Sequence, residues 1–158
     1  MKGQGQLLVT EESARLARWL RLMGFDTAQQ AVQPLPALYQ RAVGERRVIV
    51  TRNRRVRAGR LIRVIQLTSQ ALEEQLRQVV RDAPLSVDRE QSFTRCDVCN
   101  TLVEPIERTR VKDRVPPYVF QTQQTFHTCP SCQRIFWAAT HYDRIRTVLE
   151  AIHAEVRR

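Results

Sequence analysis

The chain has 158 residues, which is enough for one ordinary hydrophobic core or for a modest core with a metal-stabilised satellite. Its net charge is +10, and all of its 26 basic residues except Lys2 and Lys112 are arginine. This balance favours a polyanionic partner, because each phosphate contact releases counterions. No apolar run is long enough for a transmembrane helix, so a nucleic acid is expected rather than a membrane or a small-molecule substrate.

The first half of the chain alternates short apolar runs with amphipathic helices. Strands are predicted over residues 7–9, 48–50 and 61–67, and a further short strand is predicted to start at residues 25–27. A helix that Thr10 caps, with Glu11 and Glu12 in its first turn, ends at Gly24. Further helices are predicted over residues 37–43 and, with Ser69 as the cap, 69–83. Strands alternating with helices predict an α/β domain whose parallel sheet has helices on both faces.

The second half is expected to form a separate, smaller unit. A linker over residues 85–92 divides the chain into a first domain, residues 1–84, and a second, residues 93–158. The second domain is predicted to be β-rich, with strands near residues 101–104, 118–121 and 134–137, and to end in a helix over residues 142–156. A basic segment over residues 108–114 is expected to face solvent, and the pair Pro116-Pro117 is expected to exclude a helix.

All four cysteines fall into two pairs with two residues between the partners, Cys96 with Cys99 and Cys129 with Cys132. Such a pair directs both thiolates at one ion, and two pairs complete a tetrahedral site. Zn²⁺ suits four thiolates best, so we expect one structural zinc ion. Two disulfides, an iron–sulfur cluster or a redox pair are the alternatives. Residues 1–5 do not resemble a secretory leader, which favours reduced cysteines and a cytoplasmic protein.

Arginines are concentrated between residues 41 and 63, where nine of them accompany a single acid, Glu45. The densest part, residues 51–60, follows a buried strand, and open α/β sheets bind ligands beyond the carboxyl ends of their strands. A solvated charged face is the alternative interpretation. The residues predicted to contact phosphates are Arg46, Arg47, Arg52, Arg54, Arg55, Arg57 and Arg60, together with Arg110, Lys112 and Arg114 of the second basic segment.

Several segments together resemble one family. The longest is residues 14–27, Ala-Arg-Leu-Ala-Arg-Trp-Leu-Arg-Leu-Met-Gly-Phe-Asp-Thr. The others are Val50-Thr51-Arg52, Glu74-Gln75-Leu76, both cysteine pairs, Asp113-Arg114-Val115-Pro116-Pro117, and Trp137 with Thr140 and His141. From about residue 7 to 145 the chain is similar to the Mut-7 C-terminal RNase family, which joins a PIN-like nuclease domain to a zinc ribbon. The arginines suit RNA and DNA alike, and it is the resemblance that implies RNA.

The resemblance also implies carboxylates that hold Mg²⁺ or Mn²⁺ at the strand ends. The matching positions are Thr10, Asn53 and the region of Leu35 and Pro36, and none of them carries a carboxylate. Asp26 is the one acid that matches. Threonine and asparagine offer only neutral oxygens to a divalent cation. We therefore expect a degenerate nuclease scaffold that binds RNA, ribosomal or otherwise structured, without cutting it.

Two alternatives remain open. One is an active metal-dependent ribonuclease that uses Glu11, Glu12, Asp26 or Asp113 in rearranged roles with Mg²⁺ or Mn²⁺. The other is an adaptor whose zinc ribbon docks onto a larger assembly, such as a ribosome-bound complex. The missing acids count against the first, and the clustered arginines count against an adaptor without nucleic acid.

Overall fold

Four parallel strands form the main sheet of the structure, a computed structural model that describes residues 5–86, 88–138 and 140–156. The strands are β1 (Gln6–Thr10), β2 (Thr27–Gln30), β3 (Arg47–Thr51) and β4 (Val64–Gln66). Their order is β2-β1-β3-β4, and every neighbouring pair is parallel. The predicted α/β class is confirmed. Residues 1–4, and the side chains of Thr140 and His141 that carried part of the resemblance, lie outside the described part of the chain.

Helices cover both faces of this sheet, because successive side chains of the two central strands point in opposite directions. Leu7 and Val9 face a core that includes residues of α1 (Ala14–Leu22), α3 (Leu72–Asp82) and α5 (Thr140–Val156). Leu8 faces the opposite core, to which α2 (Leu35–Gly44) contributes Leu38. All three strand side chains are fully buried, as expected for a parallel sheet between two helical layers.

Two predicted helix caps are wrong. The Thr10 hydroxyl makes no capping hydrogen bond, because it donates to the Glu12 carboxylate at the end of β1. A short 3₁₀ turn, Glu11–Ser13, precedes α1. Ser69 lies two residues before the N-cap Ala71, and its Oγ accepts the Ala71 N–H at 3.0 Å. Both hydroxyls therefore form hydrogen bonds in the segment that precedes an α-helix and not in its first turn.

The strand predicted over residues 61–67 pairs only over Val64–Gln66. Leu61 is 76% exposed and belongs to the long connection that returns the chain from β3 to β4. The strand predicted over residues 118–121 is wrong as well, since α4 (Pro117–Thr122) occupies that position. Pro117 stands at the first helical position, where its missing N–H costs nothing and its fixed φ suits a helix. A proline pair can thus begin a helix as well as prevent one.

The cysteine module, residues 93–138, contains a small antiparallel sheet in the order β5-β6-β7. Its strands are β5 (Glu104–Ile106), β6 (Phe126–Thr128) and β7 (Ile135–Phe136). Val111 and Phe126 centre its own small core. Arg108, which was predicted to face solvent, instead lies over the Phe120 ring at 3.8 Å from the centroid and donates to the Gln123 carbonyl. The module is therefore held by packing as well as by its cysteines.

Helix α5 packs back onto the first core, where Leu149 and Ile152 are buried. The division into residues 1–84, 85–92 and 93–158 stays a prediction, and by packing α5 lies with the main sheet. In the part of the chain that the structure describes, no helix is both long and apolar enough to cross a membrane.

Candidate metal centre and candidate nucleic-acid surface

The four cysteine sulfurs converge on one point. Their Sγ atoms all lie within 4.8 Å of one another, and those of Cys96 and Cys132 are 3.8 Å apart. A tetrahedral ion with metal–sulfur distances of about 2.3 Å requires sulfur separations of about 3.8 Å. All four cysteines are free, so the disulfide alternative is wrong. The cluster fits a metal ion of the size and preferences of zinc.

The two cysteine pairs have the same backbone turn. In each, the N–H four residues after the first cysteine donates to that cysteine's carbonyl oxygen, Asn100 to Cys96 at 3.0 Å and Gln133 to Cys129 at 2.9 Å. Asn100 and Gln133 have φ values of 66° and 62°, in the left-handed region that tightens such a turn. The repeated geometry directs the thiols of both pairs toward one point.

Three of the cysteine thiols have shifted pKa values, and the shifts differ in direction. The hydrogen bond with Cys132 raises the pKa of Cys99 to about 12, whereas the backbone N–H of Arg134 lowers the pKa of Cys132 to about 7. Burial raises the pKa of Cys96. A bound divalent cation stabilises thiolates and displaces such protons, so metal binding and proton release are coupled here.

Helix α1 holds the first cysteine pair through two arginines. Arg21 is buried, and its Nη1 donates to the carbonyl oxygens of Asp97 at 2.9 Å and Val98 at 3.0 Å. Arg18 donates to the Asp97 carboxylate from Nε at 3.1 Å and from Nη2 at 2.7 Å. A guanidinium has five N–H donors in one plane, so one arginine can bond a single acceptor twice or hold several acceptors. The segment over residues 14–27 that carried the family resemblance therefore docks the cysteine module.

Asn100 extends this connection to the amino-terminal edge of the main sheet. Its side-chain oxygen accepts the Thr27 N–H at 2.9 Å, and its Nδ2 donates to Asp26 at 2.8 Å. Arg47 Nη1 donates to the same Asp26 oxygen at 2.7 Å. Burial acts to raise the pKa of Asp26, but the hydrogen bonds from Arg47 and Asn100 outweigh it and leave the pKa below its ordinary value. Asp26 is an ionised anchor for two segments.

Asp26 and Thr10 lie at opposite edges of the sheet. Thr27, the residue after Asp26, pairs with Leu7, whereas Thr10 pairs with Gln30 at the other end of β2. Three strand residues span about 10 Å. The structure thus separates the matched acid Asp26 from Thr10 and Asn53, and the three do not form one site.

One carboxylate occupies the carboxyl edge of β1 and β3. Glu12 Oε1 accepts hydrogen bonds from Thr10 Oγ1 at 2.6 Å, from Thr51 Oγ1 at 2.9 Å and from the Arg52 N–H at 2.9 Å. Burial acts to raise the pKa of Glu12, but these bonds lower it below its ordinary value, so the group is ionised at neutral pH. Sequence reasoning placed Glu12 in the first turn of a helix and kept it as a possible catalytic acid of the ribonuclease alternative. Its position just after a buried strand was the available signal.

The residues at this edge do not fit a Mg²⁺ or Mn²⁺ centre. Glu11 is committed elsewhere, since its Oε2 accepts the Val32 N–H at 2.7 Å, and the Asn53 side-chain oxygen accepts the Arg55 N–H at 2.9 Å. Among the described residues, the four cysteines are the one group of three or more histidine, cysteine or acidic side chains close enough to hold an ion. Glu11 and Glu12 both already accept hydrogen bonds, and no third acid joins them among the described residues.

The predicted phosphate-binding residues fall into three places. Arg52, Arg54, Arg55 and Arg57 form the edge cluster, which follows β3 at the carboxyl edge, and Arg60 lies further along the same connection. Arg46 and Arg47 lie at the amino edge, where Arg47 pairs with Asp26 and Glu45. Arg110, Lys112 and Arg114 are exposed on the cysteine module, with Arg114 Nη2 donating to the Gln133 carbonyl at 2.6 Å.

The positive charge of the edge cluster is not compensated by acidic side chains. Within residues 5–86, 88–138 and 140–156, none of its four arginines has an ion pair, and Arg52 Nε is buried without a hydrogen-bond partner. Arg54, Arg55 and Arg57 are exposed. Unpaired guanidinium groups beside a sheet edge with one committed carboxylate form a surface suited to an anion.

The chain belongs to the Mut7-C RNAse domain family, whose family model matches residues 6–149. The match runs from β1 into α5 and includes both cysteine pairs. No curated protein and no solved structure matches the chain.

Proposed function

We propose that this protein binds RNA at the carboxyl edge of its main sheet and does not cut it. The observation that carries the proposal is the composition of that edge, where both carboxylates, Glu11 and Glu12, already accept hydrogen bonds and four neighbouring arginines have no ion pair among the described residues. Membership of an RNAse domain family supports RNA as the nucleic acid. Structured RNA, ribosomal RNA included, is the partner class that we propose.

The inactivity follows from the chemistry of phosphodiester hydrolysis. Metal ions position the attacking water and stabilise the leaving oxygen, and they need several converging carboxylates to hold them. Removing one group of such a unit typically lowers activity by orders of magnitude. Thr10 and Asn53 stand where the family resemblance implies acids, and both side chains are engaged in local hydrogen bonds. No catalytic step is therefore assigned to this edge.

Loss of these acids favours binding. Carboxylates without a bound metal repel phosphate, so their replacement by neutral side chains lets the neighbouring arginines dominate the local potential. Arginine presents a planar fork that matches phosphate oxygens. An edge with neutral side chains at these positions attracts phosphate without a metal ion.

We further propose that the four cysteines hold one structural zinc ion. Zinc there supplies folding free energy to the cysteine module, which has only a small core of its own. Free thiols of this kind require a reducing compartment, which supports a cytoplasmic location. The ion has no proposed role in chemistry on RNA.

A charge-reversal experiment tests the binding surface. Arg54, Arg55 and Arg57 are changed together to glutamate, and Arg81, Arg89 and Arg146, which are exposed and distant in sequence, are changed likewise as a charge-matched control. The edge variant should bind every RNA sequence about a hundredfold more weakly, with a log–log salt slope lower by about 0.7 for each phosphate that the variant no longer binds. The control should keep most of the affinity and slope. Equal losses of affinity in the two variants would show that net charge, not this surface, determines binding.

One observation favours a second candidate, a ribonuclease centred on Glu12. That residue is ionised and stands at the edge where the family places its acids. Cleavage by the unmodified protein that Glu12→Gln abolishes would establish this candidate in place of the first.

A further inference from the structure

A second basic and aromatic cleft lies between α1 and the cysteine module. Its volume is about 370 Å³, in the range of sites that hold small organic molecules. Arg15 and Arg18 line it from α1, and Arg134, Phe136 and Trp137 line it from the end of the module. None of these residues belongs to the edge cluster, so the cleft is a separate surface.

The cleft carries excess positive charge. Its lining contains three arginines and a single acid, Asp97. Asp97 forms its ion pair with Arg18, whose side chain is still 58% exposed. Arg15 and Arg134 are exposed and form no ion pair within the part of the chain that the structure describes. Two uncommitted guanidinium groups therefore border one small cavity, which is the arrangement that a phosphate-bearing ligand requires.

Aromatic side chains form the inner wall. Trp137 is partly buried, packs against the small core of the module and lines the cleft. It also lines a neighbouring cavity of about 520 Å³, together with Phe93, Tyr142 and Arg95. The two cavities share Leu22, Phe136, Trp137 and Ile145 as lining residues, so they adjoin along the Trp137 side chain.

Cations beside an aromatic platform are the features with which proteins hold unpaired nucleotides, because phosphates need donors and every base has a π-face. We propose that this cleft takes one unpaired nucleotide of an RNA strand, with its base stacked on Trp137 and its flanking phosphates bound by Arg15 and Arg134. The inference rests on the proposed function and adds to it a preference for single-stranded segments. Duplex RNA offers no free base face and engages the edge cluster alone.

Tryptophan fluorescence tests this inference directly. The chain has two tryptophans, Trp19 and Trp137, and both line the cleft, so Trp19→Phe leaves Trp137 as the sole reporter. Zinc-loaded protein is titrated with oligouridylate, with an RNA duplex of equal length and with free uridine monophosphate. The single strand should quench Trp137, whereas the duplex should bind without quenching. Quenching by the monophosphate at concentrations where oligouridylate has no effect would overturn binding of a strand.

Substitutions assign the contacts. Trp137→Leu should weaken oligouridylate binding about tenfold, and Trp137→Phe, which keeps a ring, should restore most of it. Arg15→Gln with Arg134→Gln should lower the log–log salt slope by about 1.4, the value expected for two phosphate contacts on a single strand. Arg81→Gln with Arg146→Gln removes the same charge elsewhere and should leave the slope nearly unchanged.

The outcomes separate this inference from the proposed function. Suppose that oligouridylate binds, but that Trp137 fluorescence does not change and that the variants at Trp137 and at Arg15 with Arg134 keep their affinity. The cleft is then not a nucleotide site, and the proposal that the edge cluster binds RNA is unaffected. If neither single-stranded nor duplex RNA binds, the proposed function is wrong and the inference is wrong with it. Unchanged zinc content in each variant shows that a reduced affinity does not arise from unfolding.

Discussion

At the carboxyl edge of the sheet, the Glu12 carboxylate is engaged by the fold itself. It lies two residues after Thr10, the position at which the resemblance implies a metal ligand, and one of its oxygens accepts from Thr10, Thr51 and the Arg52 N–H. Hydrogen bonds to a charged acceptor are the stronger kind, so the group stabilises the junction between β1 and β3. A structural anion is the simplest account of this geometry.

Glu12→Gln tests that account through stability. The Glu12 pKa is lowered in the folded protein, so its stabilising effect is present above the unfolded pKa of about 4.3 and is lost as pH falls through the folded value. The substitution should cost about 1 kcal/mol at pH 7, a modest value because the side chain is well exposed, and less at pH 3. Urea unfolding at both pH values measures this, with the exposed Glu150→Gln as control. An equal cost at both pH values would contradict the assignment.

Arg21 has a comparable structural role at the other side of the fold. The buried guanidinium donates to the carbonyl groups of Thr27, Asp97 and Val98, so it joins α1, β2 and the first cysteine pair. Arg21→Lys keeps the charge but loses the fork, and we expect a decrease of about 2 kcal/mol in the free energy of unfolding together with faster zinc transfer to a chelator. Arg15→Lys on the exposed face of the same helix is the control. Unchanged zinc release would mean that docking does not support the metal centre.

At the scale of elements, hydrogen bonds connect the first cysteine pair to the main sheet. Asn100 follows Cys99 directly and contacts Asp26, which in turn holds Arg47 at the start of β3. The module contributes only a small apolar core, so its folding depends on the ion more than that of the main sheet does.

Removal of one ligand tests this dependence. Cys99→Ser should abolish stoichiometric zinc binding and expose the backbone of residues 93–138 to hydrogen exchange, while the centre of the main sheet stays protected. Partial loss of protection at Thr27 is expected, because its N–H donates to Asn100. Ser131→Ala, within the second pair, should retain zinc. Full protection of the module in metal-free protein would contradict a structural role for the ion.

Local sequence pattern predicted most elements of the main sheet but not their ends. Apolar runs such as residues 7–9 and 48–50 indicate strands because both faces are buried, and the cysteine spacing predicts convergence because a two-residue turn permits little else. Helix α4 was missed because a proline pair is compatible with a helix start. The caps were misassigned because a hydroxyl chooses between a backbone N–H and a nearby carboxylate only in three dimensions.

The candidate site was predicted only in part, because a local pattern does not encode contacts between residues that are distant in sequence. Neighbours in sequence such as Arg54 and Arg55 remain neighbours in space, so the edge cluster could be anticipated. Arg47, five residues before Arg52, lies at the opposite edge because β3 separates them, and its ion pair with Asp26 removes it from the surface. The roles of Arg21 and Asn100 depend on contacts across more than 70 residues, which no local pattern encodes.

At the scale of the whole molecule, charge is distributed unevenly. At the amino edge Asp26 and Glu45 pair with Arg47, whereas the exposed Arg46 has no ion pair among the described residues. The carboxyl edge keeps its arginines unpaired, and the cleft beside the cysteine module adds Arg15 and Arg134. Within a net charge of +10, unpaired arginines at these two places would attract a polyanion and make its association strongly salt-dependent.

Binding and cleavage measured in one sample test the central claim most directly. Zinc-loaded protein in excess is incubated with end-labelled single-stranded and hairpin RNA, with Mg²⁺, with Mn²⁺ and without either, and each reaction is divided between a native gel and a denaturing gel. The account predicts a retarded complex under all three conditions and labelled RNA that stays intact to the level of the protein-free control. Shortened RNA that depends on Mn²⁺ and disappears in Glu12→Gln would contradict it.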